Sequence, residues 1–350
     1  MLNRIIRILA TTLGTLLLAA GCSKAPYGPA SEQNPISFDA GSALLRNDAT
    51  RSVAYYDNTS FGVFTFKQSG GTWAQLASKH WKPSCMFNQE VHYQSGVYTY
   101  SPLRFWPDPA DGTLTFWAYS PYDADADLLV AGSTTTAYTS NSEGLPDMRV
   151  TVDGHTDVLY SDVLADQTYT SNSGVANITF NHALSLIDVY VQKIDDPDDD
   201  YTVTLNSVSF NGIYVTGILK SSDWSWYSYS GARQNLLLWE EDPDDASDDA
   251  IAQLENGVSH SIGSLMPLPQ SLTSDLARLQ VVFTLSSPSL QTPRTTTRNV
   301  LLRETLPSNL TEWVKNSHYT LTIKISADRP IEFTVTWSDW GADHNYHLSS

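Results

Sequence analysis

The stretch "YTLTIKISADRPIEFTVTW" (residues 319–337) decides the fold class. Tyr319, Leu321, Ile323 and Ile325 alternate with Thr320, Thr322, Lys324 and Ser326, and Ile331, Phe333, Val335 and Trp337 alternate with Glu332, Thr334 and Thr336. A period of two places each apolar set on one face of a strand. The turn-forming "ADRP" between them predicts a hairpin with one face in a core and the other in water.

The pattern recurs upstream. "FGVFTF" (61–66), "GVYTYS" (96–101), "LTFWAYS" (114–120), "IDVYVQKI" (187–194), "VTLNSVSF" (203–210) and "LQVVFTL" (279–285) are rich in Val, Thr, Tyr, Phe and Trp, the residues strands favour. Acidic, Gly- and Pro-containing loops separate them. Short helices are expected only near 73–79 and 309–315, where Ser308 or Asn309 offers a cap. The class is all-β, with sandwiches the natural architecture. The polar stretch "ADQTYTSNSG" (165–174) predicts a seam between an N-terminal domain, 36–170, and a C-terminal domain, 171–350.

Residues 1–21 read as an export signal: Arg4 and Arg7 precede a short apolar run that ends at "LAAGC". Gly21-Cys22 resembles the end of a bacterial lipobox, so Cys22 is the expected lipidation site at the outer membrane. Residues 22–35 form a Pro-, Gly- and Ser-rich tether. Lipidation of Cys22 would leave Cys85, the other of two cysteines, without a disulfide partner. The formal charge of −18 argues against nucleic acid and anionic lipid headgroups as partners.

No catalytic constellation, cofactor motif or metal-ligand spacing stands out, and the chain is not expected to be an enzyme. The acidic runs 194–201 and 240–249 and the "DADAD" at 123–127 lack the glycine-turned spacing of a calcium loop and read as solvated loops. "HNYH" (344–347) lacks a third ligand nearby. His182, flanked by apolar residues, reads as a hydrogen-bonded structural histidine. The aromatic cluster "DWSWYSYSG" (223–231) puts Trp224 and Trp226 on one face if it is a strand. Facing inward they are core; facing outward they are a platform for sugar rings, as a tip adhesin or a monomeric glycan-binding lipoprotein would need.

Several segments, in order, resemble the fimbrillin family, the subunits of type V pili. They are "MFNQEVHYQSGVYTYSPLRFWP" (86–107), "LTFWAYSPY" (114–122), "DVLYSD" (157–162), "ITFNHALSLIDVYV" (178–191), "FNGIYVTG" (210–217), "MPLPQSL" (266–272), "WVKNSHYTLTIKI" (313–325) and "TVTWSDW" (334–340). The resemblance implies two transthyretin-like β-sandwich domains in tandem, a lipoprotein precursor, and a place in a surface fimbrium supporting adhesion. It also implies that a trypsin-like protease removes a first strand, and that a strand from another pilus subunit replaces it. In "NPISFDA" (34–40), Ile36, Phe38 and Ala40 alternate with Ser37 and Asp39, as a groove-filling strand should. The linker that follows carries Arg51 as the expected scissile residue and Arg46 as the second choice. The donor strand is sought in 331–350.

Overall fold

The computed structural model describes residues 34–40, 60–76, 81–132, 136–171, 173–194, 200–242, 244, 253–307, 310–327 and 329–340. The signal segment, Cys22, Arg46, Arg51 and the histidines of "HNYH" lie outside the described residues. Among the described residues the regular structure is almost wholly strand. The hairpin at 319–337 forms as its pattern dictates: Ser317–Ile325 pairs antiparallel with Glu332–Asp339, Leu321 opposite Val335 and Ile323 opposite Phe333. The expected helix near 73–79 is the short Trp73–Leu76. The one expected near 309–315 does not form, because the chain there pairs with 270–272. Leu272 N–H donates to Thr311 O (2.9 Å) and Trp313 N–H to Gln270 O (3.1 Å), and Trp313 is buried. A single turn without an apolar stripe gains too little to compete with that pairing.

The C-terminal half holds a two-layer sandwich. One sheet orders Ser259–Leu265, Leu186–Lys193, Ser317–Ile325 and Glu332–Asp339 side by side. The facing sheet orders Gln234–Glu240, Thr202–Ile213, Arg278–Ser286 and Arg294–Leu301, with Gln253–Leu254 added to the second of these. Alternate residues meet between the layers: Val189, Val191, Leu321 and Ile323 from one sheet, Leu205, Phe210, Val281 and Phe283 from the other. Two antiparallel-rich sheets buried on one face each explain the clean period of two in these strands.

The N-terminal half differs. Its seven-stranded sheet runs Phe180–His182, Leu159–Ser161, Thr113–Ser120, Ser60–Gln68, Met86–Gln94 and Val97–Thr99, with Leu164–Gln167 also on Thr113–Ser120. Both faces of its centre are buried. Phe64, Phe66, Trp117 and Tyr119 pack in one cluster with residues of the sheet formed by Leu129–Val130, Asp147–Thr151, Thr216–Leu219 and Trp226–Ser230. Phe61, Val63, Phe116 and Ala118 pack in another with residues of a two-stranded ribbon. Pairing crosses the polar stretch 165–174 repeatedly: Ser37–Asp39 pairs with Val175–Asn177, and Asp147–Thr151 with Thr216–Leu219.

"DADAD" is a self-capped turn. The Asp123 carboxylate accepts from the backbone N–H of Asp125 (3.1 Å) and of Leu128 (3.0 Å). Among the described residues, no three His, Cys, Asp or Glu converge as a metal site would require. No helix among them is long and apolar enough to cross a membrane.

Candidate functional site

The ribbon contains the first described strand. Ser37–Asp39 pairs parallel with Val175–Asn177, Phe38 opposite Ala176. The alternation read from the sequence is realised: Ile36 and Ala40 are 1 % exposed and Phe38 is 6 % exposed, while Ser37 and Asp39 face outward. The Phe38 ring meets Phe61 at 6.0 Å, Tyr100 at 5.4 Å and Phe116 at 6.1 Å between centroids, all edge-on. Edge-to-face contacts of this kind add to the stabilisation that burial itself supplies.

Backbone bonds on both sides hold the strand. Ile36 N–H donates to Arg104 O (2.9 Å), Ser37 N–H to Gly174 O (3.0 Å), and Ile178 N–H to Asp39 O (2.6 Å). Trp106 N–H donates to Asn34 O (3.0 Å), and the Tyr100 hydroxyl to Ile36 O (2.9 Å). Residues 34–40 therefore lie between the 100–106 loop and the 174–178 segment, with the seven-stranded sheet beneath. Gly174 forms one corner. Its φ of +85° suits glycine, and a Cβ there would come within 2.7 Å of the Tyr169 ring. Its carbonyl also accepts from the Trp106 indole N–H (3.0 Å). Burial, and next the Asp39 carboxylate, push the hydroxyl of neighbouring Tyr98 up to about 12.

The groove thus holds its occupant by backbone bonds to both walls along a short length. Tyr98, Tyr100, Arg104 and Trp106, which build one wall, carry no local signal of that role. The parallel partner at 175–177 is invisible in sequence because it lies so far along the chain.

The last described residues are pinned elsewhere. Trp340 is buried, donates its N–H to Asn316 O (2.8 Å) and stacks on His182 at 3.8 Å with a 9° tilt. His182 Nδ1 lies 2.7 Å from an Asp157 carboxylate oxygen, a hydrogen-bonded role within the fold. Residues 332–339 of the sequence-designated donor region are already paired in the C-terminal sandwich.

Trp224 and Trp226 are half-buried and pack against the core beside Tyr160 and Trp117. Trp224 stacks on Tyr160 at 4.4 Å and parallel to Trp117 at 6.2 Å, and Trp226 donates its indole N–H to Ala183 O (2.8 Å). Trp224 has φ +54° and precedes the strand, so the two do not form an exposed row. Cys85 is buried and disulfide-bonded, in contrast to the expectation of a cysteine without a partner.

A model of the fimbrillin-like family matches residues 50–340, most of the chain. The protein belongs to the fimbrillin-like family. This fimbrillin-like chain is 27 % identical over 262 residues to the fimbrium subunit Fim1C of Phocaeicola vulgatus, covering 69 % of its own length and 64 % of that relative's. It thus spans under two thirds of that relative. Its fold is similar to that of a fimbrial protein of Bacteroides vulgatus, with a TM-score of 0.66 at 18 % identity, covering 87 % of this chain and 99 % of the other. A Bacteroides uniformis protein described provisionally as a cell adhesion protein gives 0.53 at 14 % identity, covering 89 % and 100 %.

Proposed function

We propose that this fimbrillin-like chain is a structural subunit of a cell-surface fimbrium. In this reading it is exported as a lipoprotein anchored at Cys22 in the outer membrane, cut after Arg51 or Arg46 by a trypsin-like protease, and polymerised by donor-strand exchange. The carrying observation is the docked 34–40 segment, whose Ile36, Phe38 and Ala40 fill a groove in the fold core while the segment pairs with Val175–Asn177 on one side and bonds to Arg104 and Trp106 on the other.

Loss of that segment after a cut would expose the apolar floor, leave the backbone N–H of Trp106 and Ile178 unpaired, and remove one of the two donors to the Gly174 carbonyl. Both conditions favour capture of another extended strand. Such a contact joins two different surfaces and so propagates head to tail. Because 332–339 is committed to the sandwich and Trp340 is buried, residues 341–350 are the better donor within 331–350. There Ala342, His344, Tyr346 and Leu348 share a period of two. Half-buried Trp224 and Trp226 give the tip-adhesin alternative no support.

Lipid on Cys22 and a disulfide to Cys85 would draw on the same sulfur, since the chain has two cysteines. Limited trypsin digestion of the exported chain, with N-terminal sequencing and native mass measurement, tests the whole reading. A first cut after Arg51 or Arg46 followed by a ladder of multimers is expected. A cut chain that stays monomeric with residues 34–40 still docked would overturn it.

A further inference from the structure

The C-terminal sandwich closes along one side and stays open along the other. Gln234–Glu240 and Ser259–Leu265, edge strands of the two sheets, approach each other. The opposite edges, Arg294–Leu301 and Glu332–Asp339, flank a groove of ≈ 540 Å³ lined by Arg298, Val300, Glu304, Ile331 and Phe333, among others.

Register fixes what faces that groove. Leu285, Phe283, Val281 and Leu279 are buried in the sandwich core and lie opposite Arg294, Thr296, Arg298 and Val300. Cross-strand partners share a face, so these four residues point inward. Across from them Phe333, Val335 and Trp337 face inward opposite Ile323, Leu321 and Tyr319. Trp337 is nevertheless 43 % exposed. One wall is therefore aromatic and aliphatic, and the other carries two guanidinium groups on the core-facing side of an edge strand. Nearby Arg303 is satisfied by Asp275 at 2.8 Å. Among the described residues, no carboxylate forms an ion pair with Arg294 or Arg298. Arg298 and Arg329 line the groove together with Glu304, in a chain of net charge −18.

We propose that this open edge accepts an extended polypeptide strand with carboxylates at positions i and i+4 and aliphatic side chains at i+2 and i+6. Paired with Arg294–Leu301, such a strand sets its carboxylates opposite Arg294 and Arg298 and its aliphatic residues opposite Thr296 and Val300. At about 3.3 Å per residue the two charged contacts are about 13 Å apart, a spacing that fixes register. The aliphatic face covers Phe333, Val335 and Trp337, and the backbone completes the free ladder of an edge strand. The proposal is independent of any exchange of residues 34–40, which remain docked in the test below.

A fluorescein-labelled peptide with Glu, Val, Glu and Val on one face and Thr between them is titrated into the uncut exported chain. The readouts are anisotropy and hydrogen–deuterium exchange. Binding is expected to slow exchange at 294–301. It is expected to weaken by roughly tenfold or more when Lys replaces both Glu, when Arg294→Thr and Arg298→Thr are combined, or when salt is raised. Salt dependence keeps the test decisive if the double variant folds poorly. No binding, binding indifferent to charge, or slowed exchange confined to other strands would overturn the proposal. So would self-association of the double variant without peptide binding by the wild type, because inward arginines would then only guard the edge against pairing.

Discussion

Replacing Phe38 by alanine isolates the energy that holds the first strand. The ring is 6 % exposed and touches Phe61, Tyr100 and Phe116 edge-on. Truncating a buried Phe costs about 3–5 kcal/mol. Here the lower end applies, because a short strand over an open rim can partly collapse onto the vacated space. A loss of about 3 kcal/mol from docking is about two powers of ten in the docked-to-free ratio. The assay inserts a specific protease site into the 41–59 linker, cuts the purified exported chain under reducing conditions so that no disulfide of Cys85 tethers the peptide, and follows retention of the N-terminal peptide by native mass spectrometry. The wild-type peptide should remain bound for far longer than the Phe38→Ala peptide. Ser37→Ala, an exposed position whose backbone bond survives, should change retention little. If the Phe38→Ala peptide is retained as long as the wild type, burial of that ring does not govern docking and the reasoning fails.

Other outcomes follow from the same groove and from the chain's ends. Gly174→Ala, at φ +85° and against Tyr169, should weaken the corner that receives Ser37 N–H by about 1–2 kcal/mol, seen as faster peptide release and a lower melting temperature. Tyr98 stays protonated in the fold up to about 12, chiefly through burial, whereas an unfolded tyrosine ionises near about 10. The unfolded chain therefore binds fewer protons between those values, and stability should fall as pH rises from about 10 to about 12. Tyrosinate absorbance after loss of residues 34–40 should show a component shifted toward lower pH; an unchanged titration would contradict the role given to burial by this strand. Mass spectrometry of the exported chain should find diacylglycerol on Cys22; an unlipidated chain would exclude the proposed anchor.

The parts of the fold legible in sequence are those where one face of a strand meets water. Ser317–Ile325 and Glu332–Asp339 announce themselves because Thr and Lys alternate with the core residues along them. Ser60–Gln68 does not alternate, since both its faces are buried, and "FGVFTF" could be read as a strand only from composition and length. The first strand was legible through Ile36, Phe38 and Ala40, a small period-two island beside a polar tether. Its receptor was not. Arg104, Gly174 and Ile178 contribute backbone atoms, which leave no side-chain pattern, and Val175–Asn177 is a parallel partner brought in by long-range topology. Trp224 and Trp226 illustrate the converse: an aromatic-rich segment cannot declare its inward face until its neighbours, Tyr160 and Trp117, are placed. The expected helix at 309–315 failed for the same reason, because Gln270 and Leu272 were unknown partners.

The most direct test of strand exchange locks the first strand in place. Ser37 and Val175 are paired across the parallel ribbon, at the separation neighbouring strands keep, which suits a disulfide. The Ser37→Cys, Val175→Cys chain is cut in the linker and its assembly followed by native mass spectrometry, with the wild type carried through both redox conditions as control. Oxidised, the locked chain should remain monomeric; reduced, it should build the same ladder as the cut wild type. Multimers forming equally well with the strand locked would contradict donor-strand exchange at this groove.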